Sequence, residues 1–225
     1  MSTKTSLSAS KAYSVPAVIM VVMALVLFLP AGSIQYWQGW IWWSIISAMT
    51  VYITAYFIRR DPGLLSRRMK VREKEEQPGI IKLLSFVSLL VFVVPGFDFR
   101  FHWSAVPVWL VIAANAAVFM GYLLIFLTFR QNSYAATIIQ VEAGQQVIST
   151  GLYAIVRHPM YAGLLIIQLF SPLALGSYWA LIFSLLFIPP LVFRIRKEEE
   201  LLLRSLPGYA DYCAQTHYRL LPLIW

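Results

Sequence analysis

The chain has 225 residues, 60% of them hydrophobic and 12% charged, with a mean hydropathy of +0.70, against about 25% charge in an ordinary globular domain. That balance excludes a soluble domain and leaves a polytopic membrane protein, with room for five or six spans of about 20 residues and one compact polar element. The net charge of +8 does not mark a nucleic-acid-binding protein, because the basic residues lie mainly in short loops beside apolar runs, where a positive-inside bias accounts for them. The single cysteine, Cys213, excludes an intrachain disulfide and lacks the companions of a zinc site.

Lys4 and Lys11 before the apolar stretch 15–29 imitate a secretory leader. The run 15–32 is read instead as the first span. Further apolar runs at 37–58, 80–97, 105–129, 160–175 and 178–193 complete an all-α transmembrane bundle, each run helical because backbone groups in lipid are satisfied only within the segment. Six spans are expected; five, with one run lying in the interface or re-entering, is the alternative. If the first span starts inside, the segments 59–82, 130–159 and the tail from Arg194 share one side. Of 18 Lys and Arg residues only Arg100 is then left on the other side, which predicts cytoplasmic termini.

Residues 1–129 read as an N-terminal set of transmembrane helices and 130–225 as the region that carries chemistry. Tyr36, Trp37, Trp40, Trp42 and Trp43 cluster at the outer end of the second span and read as an aromatic belt at headgroup level. The loop 59–82, with its mixed-charge run 70–76, reads as topogenic, with anionic headgroups as partners. The last two runs, joined through Gly176-Ser177, form a tight helical hairpin, and Pro172, Pro189 and Pro190 kink or end its helices.

Between the fourth and fifth runs, residues 130–156 alternate polar and apolar side chains, with Gly144 and Gly151 at turns. This segment is predicted to fold back over the helix ends and line a pocket. His158-Pro159 suits a helix start, since proline fits the first helical position, and the first-turn donors with Arg157 make the place attractive to a carboxylate. An interfacial arginine with a capping histidine is the plainer alternative. Tyr161 follows His158 by three residues, so both project from one helix face. Thirty-odd residues later Arg194 and Glu198 stand four apart on one face above an apolar stripe at Leu201 and Leu202, and Pro207-Gly208 breaks that helix before Tyr209 and Tyr212, which again share a face. Three histidines and one cysteine assemble neither a nucleophile-and-base triad nor a metal cluster, and no GxGxxG follows a strand. Group transfer here must rely on positioning an already reactive cofactor.

The string Gly151 to Gly163, G-x-Y-x-x-x-R-H-P-x-Y-x-G, and the second string Arg194-Ile195 with Glu198-Glu199 and Leu202, followed by Gly208, Tyr209, Tyr212, Arg219 and Pro222, together resemble the signature of the isoprenylcysteine carboxyl methyltransferase family. The resemblance runs from about Asn132 to Pro222. It implies an integral membrane methyltransferase that binds S-adenosylmethionine in a cytoplasm-facing pocket closed by the C-terminal segment, while a lipophilic acceptor, an isoprenylcysteine-like carboxylate first of all, comes in from the bilayer. By that resemblance the cofactor positions are Gln145, Gln146, Val147, Ile148, Tyr153, His158, Pro159, Met160, Tyr161, Glu198 and Glu199, with Arg194 and Glu198 catalytic and no metal. Many members carry histidine where this chain has Gln145. The membrane would be the plasma membrane in a prokaryote and the endoplasmic reticulum in a eukaryote. The rival acceptors are a phospholipid amine or a thiol, and the rival class is a membrane sterol-type reductase using NADPH.

Overall fold

In the computed structural model, residues 9–69, 78–134 and 145–225 are described. The run 70–76, Lys4 and Gly144 lie outside them. The described chain is helical throughout, without a strand: α1 (Ala9–Ala31), α2 (Trp37–Arg60), α3 (Pro62–Met69), α4 (Pro78–Phe101), α5 (Val108–Gln131), α6 (Pro159–Ala174), α7 (Leu181–Leu186), α8 (Ile188–Ser205) and α9 (Tyr209–Gln215), with one 3-10 turn at Gly151–Ala154. Four stretches are long and apolar enough to cross a membrane: Tyr13–Ala31, Trp37–Arg60, Gly79–Phe101 and Val108–Gln131. Their outward faces expose Val18, Ile19 and Leu29 of α1 and Trp109, Ile112 and Met120 of α5, as lipid-facing helices do, because hydrocarbon rather than water solvates them.

The fifth run forms α6, whose 16 residues span about 24 Å. The sixth is divided between α7 and the opening of α8. Pro189 and Pro190 do not cut α8 short: they stand in its first turn, where a missing N–H costs nothing, while Pro172 stays inside α6. Between α6 and α7 the chain reverses at Gly176, with φ of 80°. Ser177 then donates to the buried Asp98 of α4, which also accepts from the backbone N–H and hydroxyl of Ser104, each at 2.7 Å. One carboxylate thus fastens the end of α4 to the hairpin turn.

The aromatic cluster of α2 departs from the belt expected for it. Tyr36 and Trp42 are fully buried, and they donate to Leu175 O at 2.6 Å and Ser171 Oγ at 2.9 Å. Trp37 and Trp40 remain exposed. Helix packing on the α2 face toward α6 decides this split, and composition does not encode it.

α5 packs along α6 with two glycines at the crossing. A Cβ on Gly163 would lie 2.7 Å from Gly121 O and 2.8 Å from Ile125 Cγ1, so small residues permit backbone-to-backbone approach. Gly163→Ala should therefore destabilise the protein by about 1–3 kcal/mol, the usual range for overpacking, read as a lower melting temperature in detergent. An unchanged melting temperature would show the crossing to be looser than this. The proposed division at 129/130 falls near the end of α5, which packs along α6.

Candidate active site

The site is built at one end of the bundle, where the start of α6, the middle of α8 and the C-terminal segment meet. α6 begins at Pro159, with His158 at the N-cap in a non-helical conformation and making no side-chain cap bond. The imidazole is therefore left to face the site. It lies 5.7 Å, ring to ring, from Tyr161 one turn on. Before it, Gly151 takes φ of 62°, a left-handed conformation that favours glycine, and a Cβ there would sit 2.5 Å from Gln131 Nε2, displacing the amide that holds the 3-10 turn against α5. Leu152 N donates to Gln131 Oε1 at 3.0 Å, and Asn132 Nδ2 donates to the Tyr153 hydroxyl at 2.8 Å.

After α8, Gly208 at φ of 82° turns the chain and α9 lies back over the site. Tyr209 and Tyr212 pack 5.7 Å apart on one buried face, and the Tyr212 hydroxyl donates to Tyr153 O at 2.7 Å. The tail beyond α9 pairs with the entrance to α6: Arg157 N donates to Tyr218 O and His158 N to Arg219 O, both at 2.9 Å.

Arg157 does not wait for an external carboxylate, as its place before α6 suggested. Its guanidinium donates to Glu199 Oε1 at 2.9 Å, to Thr216 O at 2.7 Å and to His217 O at 3.0 Å. Glu199 also accepts from Arg219 Nε at 2.6 Å, and His158 Nε2 stands 3.4 Å from it. Burial alone would raise the Glu199 carboxyl, but the interactions with His158, Arg219 and Arg157 outweigh it and hold it down at about 2. This knot clamps the C-terminal tail onto α6.

A cavity with about 860 Å³ of empty space, part of it open solvent at its mouth, lies beneath the clamp. Its walls come from Gln145, Gln146, Val147 and Ile148, from Tyr153 and Arg157, from His158, Pro159, Met160 and Tyr161, and from Arg194 and Glu198. The structure thus brings together the residues singled out in the sequence except Glu199, which sits in the clamp behind the wall. Asn132, Tyr134, Leu202, Leu206, Tyr209 and Tyr212 complete the lining. The paired tyrosines carried a signal in their spacing. Asn132 and Tyr134 carried none, because only the packing of α5 against the 3-10 turn brings them in.

Inside the cavity Arg194, 8% exposed, donates from Nε to the Tyr161 hydroxyl at 3.0 Å, and that hydroxyl donates to Glu198 Oε2 at 2.6 Å. The pairing expected between Arg194 and Glu198 thus runs through Tyr161. The Tyr153 phenol is pushed up to about 12, mainly by burial, so it stays protonated. Two buried polar atoms in the wall lack a well-formed hydrogen bond among the described residues: His158 Nε2, which stands 3.4 Å from Glu199, and the Tyr209 hydroxyl.

Residues 101–204 match the model of the isoprenylcysteine carboxyl methyltransferase (ICMT) family. Over this stretch, just under half of its length, the chain is similar to that family. The match begins before Asn132 and stops before Pro222, so it takes in α5 and ends ahead of α9. The structure of a eukaryotic intramembrane Ras methyltransferase, isoprenylcysteine carboxyl methyltransferase without a monobody, is similar to this fold with a TM-score of 0.62 at 20% identity, over 95% of this chain and 77% of that one. No curated protein matches the sequence. The family match and the fold together support a membrane methyltransferase, and the cavity is formed by the parts of the chain that carry the two motifs.

Proposed function

We propose that this methyltransferase uses S-adenosylmethionine to methylate the carboxylate of a lipophilic acceptor of the isoprenylcysteine type. The observation that carries the reading is the single cavity in which the Arg194–Tyr161–Glu198 chain faces the 145–148 segment and His158. The cofactor fits this lining: Val147, Leu202 and Leu206 offer apolar surface to a nucleoside, and the buried His158 imidazole and Tyr209 hydroxyl offer polar groups to a ligand. When bound, S-adenosylmethionine supplies a sulfonium methyl group that needs no protein nucleophile.

The protein's part is placement. A carboxylate acceptor is already ionised at neutral pH, so no general base is required. Arg194 is the buried cation that orients it, by charge-assisted hydrogen bonds. Tyr161 holds the guanidinium, and Glu198 holds Tyr161. The Arg157–Glu199–Arg219 clamp keeps the tail over the cavity and excludes water. Orientation of this kind is worth up to roughly 7–11 kcal/mol of barrier. A lipid amine would need a base to deprotonate it, and the Glu198 oxygen nearest Arg194's chain already accepts the proton of Tyr161. The lysine and arginine asymmetry supports a cytoplasmic face for the cavity and both termini, with anionic headgroups beside Arg59, Arg60 and Arg130.

Calorimetric titration of the detergent-purified protein with S-adenosylmethionine, S-adenosylhomocysteine and NADPH tests this reading. Saturable binding of both adenosyl compounds is expected, weakened about tenfold in His158→Ala, as for loss of one buried hydrogen-bonding group. Binding of NADPH alone would move the protein to the reductase class.

A further inference from the structure

The Tyr209 side chain, one of the trailing tyrosines of the second motif, has no specific role in the reading above. It is 4% exposed, it lines the cavity from α9, and it lies beyond residue 204, where the family match stops. Its hydroxyl has no oxygen or nitrogen partner among the described residues, and the group beside it is the Cys213 thiol. The thiol of Cys213, four residues on, is a weak acceptor at best. A buried phenol with so weak a partner retains a desolvation cost, whereas its neighbour Tyr212 is satisfied by Tyr153 O. The cost is retained at one of two adjacent tyrosines, both of which line the cavity.

What the hydroxyl meets follows from the polarity of the lining. Around Tyr209 the wall is apolar and aromatic: Leu206 and Tyr212 bury with it, and Val147, Leu202 and Tyr153 pack against them. The charged groups, Arg194 and Glu198, come from α8 nearer its start. Burial, and then the charges of Glu199, Cys213 and Glu198, push the phenol well above its usual value, so it is a neutral donor at physiological pH. A flat nucleobase suits the first end, and an ionic group the second.

We infer that Tyr209 is a cofactor-contacting residue whose hydroxyl hydrogen-bonds the nucleoside half of the bound adenosyl compound. This rests on the methyltransferase reading above. The hydroxyl is then a ligand group rather than a structural one, and the unliganded protein carries its cost.

Tyr209→Phe removes that oxygen and little else, and two measurements in detergent read the result. The melting temperature of the unliganded variant should equal or exceed that of the unmodified protein, because an unsatisfied polar group has been deleted. Its affinities for S-adenosylhomocysteine and for 5′-methylthioadenosine, which lacks the amino-acid end, should each fall about tenfold, measured calorimetrically well below the melting temperature. Unchanged affinity for both compounds overturns the inference, and so does a loss confined to S-adenosylhomocysteine, which would place the hydroxyl at the amino-acid end. A lower melting temperature with unchanged affinity overturns it in favour of a structural role. If the unmodified protein binds neither compound, the methyltransferase reading itself falls, and the inference with it.

Discussion

Replacing Arg194 by alanine should lower methyl-transfer turnover by about 10²–10³-fold, the usual loss when one preorganised charged donor is removed, while S-adenosylhomocysteine affinity stays within a few-fold. The asymmetry follows from where the side chain stands. Arg194 is 8% exposed and its Nε is committed to the Tyr161 hydroxyl, whereas the side chains packed with Tyr209 are Leu206, Tyr212, Val147, Tyr153 and Leu202. Its loss removes the group that aligns an anionic acceptor and leaves the apolar lining and His158 in place. Single-turnover rates and calorimetry on the same preparation decide it. A parallel loss of cofactor affinity and turnover would instead make Arg194 part of the cofactor site, and the division of roles would be wrong.

Glu199→Ala should cost about 2–3 kcal/mol of stability, toward the low end for breaking a buried ion pair. Arg157 would keep its charge, only 10% exposed, with its carboxylate gone, while Arg219, at 35%, is screened by solvent and adds less. The pH dependence has a definite sign. Glu199 is held below its unfolded value of 4.5, at about 2, so the native state binds its proton less readily than the unfolded chain. The stabilisation is therefore complete above pH 4.5 and disappears as pH falls toward 2. Chemical denaturation in detergent should show this slope in the unmodified protein and its absence in Glu199→Gln. An equal slope in both would place the titrating group elsewhere. Because the clamp covers the cavity, the variant should also release bound S-adenosylhomocysteine faster.

Much of this was readable before any coordinates. Apolar runs of spanning length become helices because lipid leaves the backbone no other partner, so α1, α2, α4 and α5 follow from composition. Local chemistry likewise sets the start of α6 at Pro159 and the break at Gly208. The cavity residues were readable for a different reason: two motifs some thirty residues apart, on either side of a hairpin, carry the polar groups that lipid-facing segments lack.

Other features depend on which surfaces meet. Arg157 reads as a free cation, yet it is spent on Glu199 and two tail carbonyls, since the tail folds back over α6. Arg194 and Glu198 have the spacing of a direct pair, but the bridge between them is a tyrosine from another helix. Tyr36 and Trp42 share the composition of a surface belt and lie in the core, while Asn132 and Tyr134 reach the cavity from the end of α5. Hydrophobic patterning records which segments leave water, because that free energy is additive along the chain. Partners of buried polar groups are chosen across distant segments, where helix crossings such as Gly121 against Gly163 set the distances, and that choice appears only when the helices pack.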